Sequence, residues 1–294
     1  MALEINNWGP AGTLTAVSNF SAWSGMGVQD FIPNVDPSLL ANRTEIVTED
    51  GHPAVRMRHY TTDTTTSGHR TELAVDSYSQ IFDWVGESVP GADAGASYKR
   101  YRFAFKIPSQ DLSYLSGVGG PFFLIAQLLP VPDDSPADTG GGQPAFAIHV
   151  GIDSYGHYRW YMSQNHPTDA TYSGGNISHE VASWPFRFNE WQDIHVHANP
   201  WSYSSAGNMT VYLNRRPIFV ETGQPNGHNN SPARGGAGFW PKFGVYGAPS
   251  VYMEAYHRGV IVGDHEATFA DMYPELEAAV PLERVSGARG MASF

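Results

Sequence analysis

The feature that most limits what this chain can fold into is an alternation of apolar and polar residues with a period of two. In Lys99–Ile107, Tyr101, Phe103, Phe105 and Ile107 share one face while Arg100, Arg102 and Lys106 share the other. A strand sorts its side chains this way automatically, because successive residues point to opposite faces, whereas a helix repeats every ~3.6 residues and would mix the two sets. Similar strand readings apply to Pro53–Tyr60, His69–Asp76, Pro121–Leu129, Ala145–Asp153, Trp191–Ala198, Met209–Leu213, Ile218–Glu221, Lys242–Tyr246 and Val251–Val262. Turn residues separate nearly all of them, and 31 glycines and 21 prolines suit many short strands joined by tight turns. The expected class is all-β, with antiparallel strands closed into a sandwich or barrel.

No internal repeat, heptad or compositional linker divides the 294 residues, so one continuous domain over 1–294 is expected. Three Gly/Pro/Asp-rich stretches, Gly86–Ala96, Pro130–Gln143 and Gln224–Gly238, read as long loops able to wall a cleft. The character changes in 264–294. Within Glu266–Val280, the residues Phe269, Met272, Tyr273, Leu276 and Val280 are spaced as on one helix face, which predicts a short C-terminal helix followed by a tail.

The formal net charge of −12 sets the surface against nucleic acid and anionic membranes, and a polyanionic substrate would need a local basic cleft to overcome it. Zero cysteines exclude disulfides and thiol chemistry and leave the compartment open. No stretch approaches the ~20 apolar residues of a membrane span. Met1-Ala2-Leu3-Glu4-Ile5 lacks the basic and apolar regions of a secretory leader. The expected location is extracellular through a leader already removed, or virion-associated or released by lysis, and a monomer is expected.

Chemistry is most legible where a strand sets a few reactive groups among very small ones, since small neighbours leave room for a ligand. In His69–Val75, Leu73 and Val75 suit a core while Arg70, Glu72 and Ala74 point away. In Ala145–Gly151, Phe146, Ile148 and Val150 suit the core and leave His149 among Ala145, Ala147 and Gly151. In Lys242–Tyr246, Phe243 and Val245 suit the core, so Lys242 and Tyr246 flank an empty glycine position. Side by side, these faces would make a polar groove floored by Arg, Glu, His, Lys and Tyr. Each has a plainer reading. Arg70 and Glu72 could be a surface ion pair worth about 0–1 kcal/mol, His149 is one of twelve histidines, and Tyr246 suits any amphipathic strand.

Three segments, in order, resemble marker strands of the jelly-roll alginate lyases: Arg70-Thr71-Glu72-Leu73, then Ile125-Ala126-Gln127-Leu128-Leu129, then Trp240-Pro241-Lys242-Phe243-Gly244-Val245-Tyr246. Between the last two, Trp191-Gln192-Asp193 and Val211-Tyr212-Leu213-Asn214-Arg215 are similar to paired strands of the heparin-lyase-like group. The resemblance, covering roughly residues 45 to 262, implies a concanavalin-like β-jelly roll of two antiparallel sheets and a polysaccharide lyase acting on an acidic glycan by β-elimination. By the same resemblance Arg70 and Gln127 hold and neutralise the uronate carboxylate, and Lys242 adds positive charge or binds a neighbouring sugar. Tyr246 protonates the leaving glycosidic oxygen and can also serve as base. A free phenol ionises near about pH 10, so that base role calls for nearby cations, for which Arg70 and Lys242 are candidates.

The chain departs from the alginate-type Gln-x-His, which is Gln127-Leu128-Leu129 here, so the usual histidine base is missing from its motif. His149 is the first substitute and His69, beside Arg70, the second; failing both, Tyr246 acts as base and acid. The loss argues against ordinary alginate and for the heparin-lyase-like or glucuronan-lyase-like branch.

A non-catalytic lectin-like module on this fold is the alternative, with Trp84, Tyr158, Trp160, Tyr172 or Trp201 as stacking platforms unless they are core. A glycoside hydrolase would need two carboxylates about 5–10 Å apart, and Glu72 has no obvious partner. His195 and His197 share a strand face without a third ligand, so a structural role is expected and no cofactor is required. Structural calcium on loop carboxylates such as Asp133 and Asp134 stays open.

Overall fold

The computed structural model describes residues 2–4, 12–13, 26–29, 43–62, 69–75, 99–115, 123–130, 146–167, 176–198, 207–224, 239–247, 251–263 and 267–273. The first strands are β1 (Ala2–Glu4), β2 (Gly12–Thr13), β3 (Met26–Gln29), β4 (Thr44–Glu49), β5 (His52–His59) and β6 (His69–Val75). Next come β7 (Lys99–Lys106), β8 (Phe123–Pro130), β9 (Phe146–Ile152), β10 (Tyr158–Pro167) and β11 (Asn176–Pro185). The last are β12 (Gln192–Ala198), β13 (Asn208–Leu213), β14 (Arg216–Thr222), β15 (Phe239–Gly247) and β16 (Met253–Gly263).

Among the described residues they form two sheets. The nine-stranded sheet runs β14-β13-β12-β7-β16-β5-β4-β2, with β1 also paired to β16, and the seven-stranded sheet runs β11-β10-β9-β8-β15-β6-β3. Every pairing is antiparallel. This is the all-β sandwich that the alternation calls for. Tyr101, Phe103, Phe105 and Ile107 are all buried in the core that joins the sheets. There Phe105 of β7 meets Trp160 of β10 edge to face, with centroids 4.8 Å apart.

Strands β1, β2, β3, β4, β10 and β11 add to those read from the alternation. In β10 the inward series is Trp160, Met162 and Gln164, all fully buried. Its polar third member and the following Asn165-His166 hide the period-two pattern from a hydrophobicity reading.

The polar face of β7 also differs from a half-buried strand. Arg102 and Lys106 are only 6% and 3% exposed, because carboxylates and rings cover them. Arg102 pairs with Asp193 at 2.7 Å, donates to the Met272 carbonyl at 2.8 Å and lies 4.2 Å over the Tyr273 ring. Lys106 pairs with Glu49 and Asp50. Nearby, His195 is fully buried against Tyr212, Phe269 and Tyr273. No group of three metal-ligating side chains exists among the described residues.

The expected C-terminal helix is not what forms at its start. Residues 267–273 hold a single 3-10 turn, Ala270–Met272, and the rest of the segment lies outside the described residues. Thr268 and Asp271 make the reciprocal cap that begins a helix: Asp271 accepts from the Thr268 amide at 2.7 Å, and the Thr268 hydroxyl accepts from the Asp271 amide at 3.2 Å. Pro274 then ends it, since the residue before a proline is driven out of the α region, and Tyr273 sits at φ −136, ψ 60. Met272 and Tyr273 are buried nonetheless.

The β13–β14 hairpin turns on Asn214 and Arg215, at φ 49 and 68, in the left-handed geometry of a two-residue hairpin turn. Asn tolerates this well and Arg poorly. Arg215→Gly should therefore raise the urea midpoint, by about 0.5–1 kcal/mol of stability after allowing for the extra freedom of glycine in the unfolded chain.

Candidate active site

The register of the seven-stranded sheet lines up the sequence candidates. One row of positions crosses it as Arg70 on β6, Tyr246 on β15, Leu124 on β8, His149 on β9 and Tyr161 on β10, each opposite the next. A second row runs Ala74, Lys242, Gln127, Ala147 and Ser163. Glu72 lies opposite Gly244, between the rows, and His69 lies opposite Gly247, one position out of step with the Arg70–Tyr246 pair. The side chains of His69, Arg70 and Glu72 lie outside the described residues, and only their strand positions enter the argument. The intervening residues Phe243, Val245, Phe146, Ile148, Val150, Trp160 and Met162 are fully buried on the core side, which fixes the outward direction of Lys242, Tyr246, Ala147, His149, Tyr161 and Ser163.

The rows are three residues apart on β8 and four on β15, hence about 10–13 Å along the strands. Gln127 therefore stands beside Lys242 and not beside Tyr246. His149 is two strand spacings from Tyr246, about 9–10 Å, with Leu124 between them. Lys242 and Gln127 are only 3% and 2% exposed, so this floor lies below the protein surface. Tyr246 and His149 are half-buried.

Two hydrogen bonds tie the strands that carry these positions to the other sheet. Thr71, within Arg70-Thr71-Glu72-Leu73, donates its hydroxyl to the Arg58 carbonyl of β5 at 2.8 Å. The fully buried His257 of β16 bonds the Gly244 carbonyl through Nε2 at 3.2 Å, so Nε2 carries the proton. Gly244 sits at φ 153, a conformation that favours glycine, inside an irregularity of the β15–β8 register between Phe243 and Tyr246. The glycine that reads in the sequence as a gap between Lys242 and Tyr246 is thus also the bulge that aims Tyr246.

Burial lowers the pKa of the His149 imidazole to about 4, so the ring is neutral near neutral pH and free of charge to accept a proton. It stacks on Tyr161, with centroids 5.6 Å apart and planes 18° apart. Among the described residues, Glu72 and Glu180 do not form the hydrolase arrangement. Glu72 of β6 and Glu180 of β11 are five strand spacings apart, about 24 Å, against the roughly 5–10 Å that hydrolysis requires.

Of the stacking platforms considered, Trp160 is fully buried and belongs to the core, and Tyr158 packs edge-on against Phe186. Trp84, Tyr172 and Trp201, and the calcium candidates Asp133 and Asp134, lie outside the described residues. Reading β10 only through Trp160 and Tyr158 missed its outward set, Arg159, Tyr161 and Ser163. The signal was present in the alternation of these residues with Trp160 and Met162.

A family model for polysaccharide lyases matches residues 11–265. No curated protein matches the chain. Among solved structures, an endo-β-1,4-glucuronan lyase from the fungus Trichoderma reesei superposes with a TM-score of 0.53 at 15% identity, covering 83% of this chain and 92% of that one. An alginate lyase superposes with a TM-score of 0.54 at 14% identity, covering 89% and 95%. A variant of the latter holding an alginate trisaccharide gives 0.52 at 12% identity, covering 90% and 98%. At such identities the structural likeness is one of fold, the lyase jelly roll. The family match spans both sheets and every strand that carries the candidate site, and on that match the chain belongs to the polysaccharide lyase family.

Proposed function

We propose that this polysaccharide lyase cuts a uronic-acid-containing glycan, of glucuronan type in preference to alginate, by β-elimination outside the cell. The observation that carries the reading is the row Arg70, Tyr246, Leu124, His149, which sets a phenol opposite a guanidinium position and two strands from a neutral imidazole. β-Elimination needs these groups. The proton on C5 is removed, the C4–O bond breaks, a C4–C5 double bond forms and the departing glycosidic oxygen takes up a proton. Charge developing beside the carboxylate must be neutralised. Arg70 holds the carboxylate, Tyr246 protonates the leaving oxygen, and His149 or Tyr246 takes the C5 proton. Gln127 and Lys242, about 10 Å further along the strands, suit a neighbouring sugar. The gap in the Gln127-Leu128-Leu129 motif supports the glucuronan branch, while the fold is shared with a fungal glucuronan lyase and an alginate lyase alike.

The test is the ultraviolet absorbance of the new double bond, followed on glucuronan, hyaluronan, heparin, alginate and bacterial capsules. Absorbance is expected to rise on glucuronan. Binding without any rise would replace this reading with a lectin-like one, and new reducing ends without absorbance would mean hydrolysis.

A further inference from the structure

We propose that Arg159 and Tyr161 of β10 form a remote glycan subsite, in which the guanidinium binds a uronate carboxylate and the ring supports that sugar. The proposal rests on the acidic glycan assigned above and adds a residue pair outside the reacting centre. Trp160 and Met162 point into the core and are fully buried, so Arg159, Tyr161 and Ser163 face outward, on the side of the sheet that bears Tyr246 and Lys242.

Arg159 is conspicuous for what it lacks. Its only polar contact among the described residues is Nη2 to the Ser183 hydroxyl at 3.4 Å, and none of them forms an ion pair with it. On the other sheet Arg56, Arg58, Arg102 and Lys106 each hold a carboxylate. Unlike these four, Arg159 turns toward the site face with no carboxylate among the described residues at ion-pair distance. A carboxylate is the partner that matches the donor fork of a guanidinium. Asp153 and the exposed Glu180 act electrostatically on this corner, and neither reaches ion-pair distance of Arg159.

Tyr161 is held in place from two sides. Opposite Arg159 stands Gly151, and a Cβ there would come within 3.0 Å of Tyr161 Cε2 and 3.2 Å of Cδ2, so the ring fills the space that a side chain would take. Its other neighbour is the His149 ring, stacked at 5.6 Å. A fixed, half-exposed phenol ring offers an apolar surface to the C–H face of a sugar. Tyr161 is three strand spacings from Tyr246, about 14 Å, so a glycan crossing the strands would place a sugar there that is not being cut.

Binding energy from a distant sugar acts on long substrates and is unavailable to short ones. Arg159→Gln should therefore lower the ratio of kcat/KM on polymeric glucuronan to kcat/KM on its trisaccharide by about tenfold, the factor equivalent to ~1.4 kcal/mol, with the change carried by KM. Tyr161→Leu, which removes the aromatic ring and keeps the Arg159 guanidinium, should lower the same ratio. Arg159→Lys, which keeps the charge, should recover part of it. A merely structural Arg159 would depress both substrates alike, and an unchanged ratio in Arg159→Gln would overturn the subsite. If the wild type forms no double bond on glucuronan or alginate, the elimination reading fails by itself, and the subsite is then read by electrophoresis through gels holding either polymer. Stronger retardation of the wild type than of Arg159→Gln supports it, and equal mobility overturns it.

Discussion

Tyr246→Phe should lower kcat for double-bond formation by about 10²–10⁴-fold, the usual contribution of a positioned general acid or base, while glycan binding and the thermal midpoint stay close to those of the wild type. The substitution removes one hydroxyl from a half-buried ring and leaves the packing of its strand intact, with Val245 in the core on one side and the Gly244 bulge beside it. Steady-state kinetics on the cleaved polymer, with melting curves on both proteins, separate the outcomes. A raised KM with kcat preserved would make Tyr246 a binding residue and move the proton transfers elsewhere on the row, to His149 first. Loss of kcat with KM unchanged places the phenol hydroxyl in the elimination step itself.

Acid should destabilise the fold well before it titrates the site. Burial lowers the His257 pKa to about 3, against a small upward pull from its bond to Gly244. Burial, helped by Arg100, His197 and Arg102, lowers that of His195 to about 2. In the unfolded chain a histidine titrates near about 6.5. The folded values lie below that, so the stability these residues contribute is complete above about pH 6.5 and is lost as pH falls from there toward the folded values. Each costs ~1.4 kcal/mol per pH unit in that window, about 2 kcal/mol between about pH 7 and about pH 5, and together about 4 kcal/mol. That is a large share of the roughly 5–15 kcal/mol by which a domain is usually stable.

Urea unfolding at about pH 7, 6 and 5 measures this. His257→Gln, which can still donate to the Gly244 carbonyl and does not titrate, should reduce the pH dependence by about 2 kcal/mol over the range. An unchanged dependence would show that His257 titrates in the folded protein as it does in the unfolded chain. His149, lowered to about 4, stays neutral through the same window. The acid limb of activity is thus expected to follow unfolding and not loss of the base.

Much of the architecture was legible from residue order because a strand's side-chain period is a local property. Tyr101, Phe103 and Phe105 are found in the core, and Phe146, Ile148 and Val150 together with Phe243 and Val245 face it from the other sheet, as alternation alone required. The polar members of the same strands, Gln127, His149, Lys242 and Tyr246, face the opposite side for the same reason. Where a core-facing position was polar, as Gln164 is in β10, the pattern blurred and the strand was missed, and with it Arg159 and Tyr161. The helix spacing in 266–280 was real as a burial signal for Met272 and Tyr273, but Tyr273, the residue before Pro274, leaves the α region.

Local pattern could not say which strands stand side by side, because pairing joins residues far apart in the chain. That Tyr246 lies opposite Arg70, 176 positions earlier, and that Gln127 falls beside Lys242 about 10 Å away from it, follow from strand order and from the two bulges, and neither leaves a trace in residue spacing. Burial of the charged face of β7 is likewise a tertiary result: Arg102 and Lys106 alternate like solvent-facing residues, and only the arrival of Asp193, Glu49 and Asp50 from other strands and turns makes that face an interior. The sequence by itself determined the class of fold and the kinds of group on each face, because those depend on neighbours in the chain. The tertiary structure decided which groups meet, because meeting depends on register.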